Sequence, residues 1–149
     1  TMSYNEYWVV RDAGFSPEQL TVFKYQSEGA ATLEDGLYVN EKNLGDAAFK
    51  DKMVRFVRAS MKGWKYAEAN PKEAAMIILD NDDAGVQTEK HQVRMMGEIA
   101  KLTAGSNGSL DEADYERTVK VLMSGDSDPV ITKKPSGAWT NEITNAALN

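Results

Sequence analysis

Gly63-Trp64-Lys65-Tyr66-Ala67-Glu68-Ala69-Asn70-Pro71-Lys72-Glu73-Ala74-Ala75 decides how this chain is read, because one amphipathic helix ends inside it and a second begins at once. Upstream, from Asp46 onward, Phe49, Met53, Phe56, Val57, Ser60, Trp64 and Ala67 recur at helical spacing, which predicts a long helix with one buried face. At the junction Asn70 suits a cap, Pro71 a first helical position, and Glu73 the reciprocal acceptor of a capping box. Ala74, Ala75, Ile77, Ile78 and Leu79 then carry a second helix.

Working outward, Thr88 caps a third helix with apolar positions at Val93, Met96, Ile99 and Leu102, which ends at the loop 105–109. Asp111 caps a fourth with Tyr115, Val119, Leu122 and Met123 on one side and Gly125 after it. Pro129 to Thr132 reads as extended, and Trp139 to Leu148 as a final short helix. Toward the start, Tyr4 to Ala13 reads as a helix stopped by Gly14, and Ser16-Pro17-Glu18 as a tight helical turn. Thr21 to Tyr25 and Gly36 to Asn40 are strand candidates, rich in β-branched and aromatic residues or bounded by turn formers. Two short strands cannot balance four or five helices in an α/β sheet, so the strands are expected to pair with something outside this chain. No internal repeat or low-complexity tract is present.

The 149 residues fit one domain and can bury a core without staples. Lys and Arg number 17 against 23 Asp and Glu, for a formal charge of -6, and no basic stripe interleaves with aromatics. Nucleic acid is therefore not an expected partner. No apolar run is long enough for a membrane span, and Thr1 to Tyr7 lacks the pattern of a secretory signal. The absence of Cys excludes disulfides, thiolate catalysis and Cys-ligated zinc, and fits either redox compartment.

Asp80-Asn81-Asp82-Asp83-Ala84-Gly85 resembles the opening of a calcium loop. Position five is Ala84 and position twelve is His91 where a bidentate Glu is needed, so it reads as an acidic connector. His91 is the only histidine and reads as a surface residue. Met53, Met61, Met76, Met95, Met96 and Met123 read as core gap-fillers, and Trp64 as part of the buried stripe. Tyr4-Asn5-Glu6-Tyr7-Trp8 differs in kind. It sets aromatic faces beside an amide and a carboxylate within one helical turn, a set suited to stacking on a flat heterocycle while Asn5 and Glu6 take its hydrogen-bonding edge.

The run at 63–75 is similar to a helix junction of NMT1/THI5-like solute-binding proteins of ABC importers. Asp35-Gly36-Leu37-Tyr38-Val39 resembles the strand by which that family's chain returns to its first lobe. Phe56-Val57-Arg58-Ala59 lies in the expected helix, and Pro129 to Thr132 with Gly137-Ala138-Trp139-Thr140 resembles a C-terminal signature, so the likeness runs along nearly the whole chain.

The resemblance implies an α/β fold, the C-terminal portion of a two-lobe periplasmic-binding-protein (type II) fold, mostly helical with a few strands. Residues 1–35 would end the second lobe. Residues 36–149 would be the return strand and C-terminal helices packing on the first lobe. The first-lobe core, with a signal peptide or lipid anchor and one wall of the cleft, would lie upstream, in a periplasmic or lipid-anchored extracytoplasmic protein.

On that basis Tyr4, Asn5 and Glu6 face the cleft and contact ligand. The implied function is the substrate-binding component of an ABC importer, taking a small polar organic solute by hinge closure, with an importer permease as partner and neither catalysis nor cofactor nor metal. Glu6 leans the ligand toward a nitrogen-rich heterocycle such as a thiamine pyrimidine precursor. Relatives of the sulfonate, taurine and nitrate kind would want Arg and backbone donors instead. The rival enzyme reading is a THI5-like pyrimidine biosynthesis protein with a His-dependent site. A third reading is a helical interaction module whose strands pair within a dimer, and an exposed strand edge would in any case favour self-association.

Overall fold

The computed structural model describes residues 1–125 and 127–148. They form two compact units, Thr1–Thr21 with Ala59–Asn107, and Val22–Arg58 with the chain from Gly108 on. The helices are α1 (Glu6–Asp12), α2 (Ala47–Ala69), α3 (Pro71–Asp80), α4 (Glu89–Thr103), α5 (Glu112–Met123) and α6 (Glu142–Leu148), with 3-10 turns at Pro17–Gln19 and Glu41–Gly45.

In the first unit α3 packs on α4. Ala74 and Ala75 are buried at the start of α3, where small side chains let two helix backbones approach. Gln92 of α4 is buried too, and its amide nitrogen donates to Gln87 Oε1 at 2.6 Å, so its polar end is satisfied. The Asn70–Pro71 junction forms where the sequence predicts, by different bonds. Asn70 makes no side-chain cap for α3; its Nδ2 donates backward to the Tyr66 carbonyl at 3.0 Å. Glu73 accepts from the Tyr66 hydroxyl instead of closing a capping box, which pushes the Tyr66 phenol up from its ordinary value. The proline at the first helical position is what remains of the expected signal.

In the second unit side chains of the first half of α2 reach α6. Lys50 Nζ reaches Glu142 Oε1 at 2.5 Å, and Arg58 donates to the carbonyls of Ala147 at 2.9 Å and Ala146 at 3.2 Å. Those carbonyls end a helix and have no intrahelical partner, so a guanidinium satisfies them and complements the dipole. Asn141 grips Leu110 reciprocally, Leu110 N donating to Oδ1 at 3.0 Å and Nδ2 to Leu110 O at 2.9 Å. Asp111 caps α5 as its sequence predicts, accepting from Ala113 N and Asp114 N. Residues 31–33 are tied to α5 through Arg117 to Ala31 O at 3.1 Å and Leu33 N to Thr118 Oγ1 at 2.8 Å.

The mostly helical class stands, whereas no strand is found among the described residues, against the expectation of a few. A ladder needs a second segment about 4.8 Å away. Thr21 to Tyr25 has none, and Lys24 O instead accepts from Ser27 N and Glu28 N, bending the chain into a turn. Residues 36–39 make no backbone hydrogen bond among the described residues. The buried face expected of α2 is not seen either: α2 has no buried residue, and Phe56 and Trp64 are 53% and 47% exposed. The final helix starts at Glu142 rather than Trp139, because Thr140 Oγ1 accepts from Glu142 N and opens it there.

These departures share one cause. Among the described residues only Ala74, Ala75, Val119, Ala147 and Gln92 are buried. The accessible surface is 11001 Å² for 16.5 kDa. A compact monomer of that mass exposes about 7,500 Å², and even two separate compact bodies of half the mass expose about 9,100 Å². Apolar faces written into the sequence are thus left uncovered.

Candidate functional site

α1 carries the candidate residues. Met2 O accepts from Asn5 N and Tyr7 N, each at 3.3 Å, and Asn5 O accepts from Trp8 N at 2.9 Å, so residues 2–8 wind into the helix as one turn. Glu6 Oε2 accepts from Met2 N at 2.7 Å. Its own backbone N–H and that of Met2 hold the carboxyl below its ordinary value. Asn5 is half-buried, with Oδ1 at 2.8 Å from His91 Nε2 on α4. Tyr4, Asn5 and Glu6 therefore sit within one turn, as the sequence predicts, but the amide and carboxylate already hold partners.

Beyond them the helix is fixed to α4 by charge and stacking. Arg94 lies over the Trp8 ring with its guanidinium carbon 4.8 Å from the centroid, and Tyr7 meets the same indole edge-on at 5.2 Å. Arg94 Nη1 donates to Asp12 Oδ2 at 2.8 Å and Lys90 Nζ to Asp12 Oδ1 at 2.9 Å. The Arg94 bond, then the Lys90 bond, pulls the Asp12 carboxyl down to about 2. A seven-residue helix is marginal alone, so this clamp is what holds Tyr4 to Glu6 in place.

Three donors in the cluster, Trp8 Nε1 and Arg11 Nε and Nη1, are buried and have no hydrogen-bond partner among the described residues. Trp8 and Arg11 are three apart and share one side of α1. An aromatic face, an amide and imidazole in contact, a carboxylate and three unmatched donors can recognise a planar solute carrying both donors and acceptors.

His91 and the Lys90/Arg94 pair are absent from the sequence-level site. The signal was available in part: Lys90 and Arg94 stand four apart on a predicted helix, so they share a face that wants a carboxylate. Nothing in the sequence says that the carboxylate is Asp12. His91, read as a surface residue, is half-buried. The acidic connector 80–85 closes on itself, with Asp82 Oδ2 accepting from Gln87 N at 2.7 Å and Gly85 at φ +63°. No cluster of His, Asp or Glu able to hold a metal ion occurs among the described residues. No helix among them is long and apolar enough to cross a membrane.

The family model described as NMT1/THI5 like matches residues 3–74, just under half of the chain. No curated protein and no solved structure matches the chain. The matched span takes in Tyr4 to Glu6, the 35–39 segment and the Gly63-to-Ala74 junction, whereas 129–132 and 137–140 lie outside it. Such a domain suggests a solute-binding or THI5-like protein, in a family that generally binds small molecules. Residues 3–74 are thus similar to the NMT1/THI5-like family.

Proposed function

We propose that this chain is the solute-binding part of an ABC import system, taking a small nitrogen-rich heterocycle, a thiamine pyrimidine precursor or close analogue, without a catalytic step. The observation that carries the reading is the Tyr4–Trp8 cluster held on α4, which falls inside the family-matched span. Tyr4 and the aromatic pair offer stacking surface, and the acceptor lone pairs that Glu6 and Asn5 keep beyond their bonds to Met2 N and His91 suit an amino-substituted ring edge. Residues 1–35 then end the cleft-bearing lobe and residues 36–149 return toward the other lobe, in a periplasmic or lipid-anchored protein that docks an importer permease. Thermal-shift titration against aminopyrimidines, alkyl sulfonates, taurine and nitrate tests this. The aminopyrimidines alone should raise the midpoint, and a response confined to the anions would reassign the ligand class.

A THI5-like pyrimidine-forming enzyme is the second reading, favoured by the 2.8 Å contact between His91 and Asn5. Turnover of a pyridoxal or histidine substrate that disappears in His91→Gln would establish it over transport.

A further inference from the structure

We propose that His91 is a positioning residue for the solute: it holds the Asn5 side chain with its oxygen on α4, so that the amide meets the solute as a hydrogen-bond donor. The proposal rests on the solute-binding reading above and adds which ring edge that site accepts.

Asn5 is the N-cap residue of α1, a place where an asparagine oxygen ordinarily accepts from a backbone N–H of the first turn. It makes no such cap. Its Oδ1 lies instead 2.8 Å from His91 Nε2, although α1 is already fastened to α4 at its other end through Asp12. A short helix that forgoes its cap for a contact with a distant residue breaks a local rule, and such departures mark sites shaped for function.

Two acceptors do not attract, so with Oδ1 facing it Nε2 must carry a hydrogen, as it does in the imidazolium and in one of the two neutral tautomers. His91 is held firmly enough to impose that choice. It is the third residue of α4, its backbone N–H donates to Thr88 Oγ1 at 3.3 Å, and the neighbouring cations Lys90 and Arg94 are engaged by Asp12. Left alone, the amide would turn over about its last torsion and offer oxygen or nitrogen alike. With Oδ1 on α4, the planar amide turns its Nδ2 donors to the other side. It then suits an edge that sets an unprotonated ring nitrogen beside an amino group. Nδ2 donates to the ring nitrogen and the second lone pair of Oδ1 accepts from the amino group, as asparagine reads adenine.

Two measurements on the 149-residue chain test this. His91 is the only histidine, so a long-range proton–nitrogen NMR spectrum reads its ring nitrogens directly, and Nε2 should carry hydrogen in the solute-free protein. Affinities are then compared for the aminopyridine whose ring nitrogen adjoins the amino group and for aniline, which has C–H there, in mildly alkaline buffer where both are neutral. Wild type should prefer the aminopyridine roughly tenfold, and His91→Leu should cut the preference to about twofold with helix content retained. His91→Gln, whose amide nitrogen replaces Nε2 as donor, should restore it. A bare Nε2, or a preference that survives intact in His91→Leu, would overturn the positioning role and leave the solute-binding reading standing. A wild type that binds no amino-substituted ring, aminopyrimidines included, would overturn that reading and this proposal together.

Discussion

Uncoupling α1 from α4 is the perturbation that speaks most directly to how the site is built. Trp8→Leu and Arg94→Met, singly and together, form a double-mutant cycle in which the loss of the Arg94 bond to Asp12 appears in both arms and cancels. What remains is the guanidinium over the indole at 4.8 Å. Such contacts contribute about 0.5–1 kcal/mol when exposed and about 2 when desolvated. The Arg94 side chain is 23% exposed, so a coupling of about 1 kcal/mol is expected. Urea denaturation of the four proteins by circular dichroism gives the cycle, and in a unit of this size the same energy shifts a thermal midpoint by about 4–8 °C. A coupling within the roughly 0.3–0.5 kcal/mol scatter of independent sites would refute the clamp.

Lowering pH should release the same clamp. The Asp12 carboxyl is held at about 2 against its ordinary 3.8, so its contribution is full above about pH 4 and is lost as pH falls toward 2. Tryptophan fluorescence should report a transition in that window that Asp12→Asn abolishes, and an unchanged transition in the variant would assign it elsewhere. Asn141→Ala removes two bonds to Leu110 and should cost about 1–3 kcal/mol. Asn141→Asp keeps the acceptor but turns a carboxylate oxygen toward the Leu110 carbonyl, so it should cost at least as much in the same urea titration. Gly125→Ala sets a Cβ 2.8 Å from both the Asp128 carbonyl oxygen and Pro129 Cα, backbone atoms that cannot swing aside. A loss of about 1–3 kcal/mol is expected, and a midpoint equal to wild type would show that the turn accommodates it.

What the sequence makes legible is local. Thr88 and Asp111 accept from backbone N–H groups at the starts of α4 and α5, because capping depends on residues within a few positions. Pro71 likewise marks the start of α3 whatever surrounds it. Asn70 and Glu73 have the spacing of a capping pair, but Tyr66, one turn back, competes for both. The strands differ for another reason: Thr21 to Tyr25 and Gly36 to Asn40 have the composition, but pairing is a property of two segments and neither forms a ladder among the described residues. The stripe on α2 is present in the sequence, yet Phe56 and Trp64 stay about half exposed. At the site, Tyr4, Asn5 and Glu6 were legible because they are contiguous. Their supports, Lys90, His91 and Arg94, lie more than eighty positions away, and only the fold brings them close.

Isothermal titration of the chain with an aminopyrimidine bearing a hydroxymethyl group, repeated on Asn5→Ala and Glu6→Gln, examines the solute-binding assignment at its root. Saturable binding to the wild type, weakened at least tenfold by each substitution while α-helical content is retained, is the expected result. Wild-type heats no different from buffer dilution, or affinity indifferent to both changes, would contradict it.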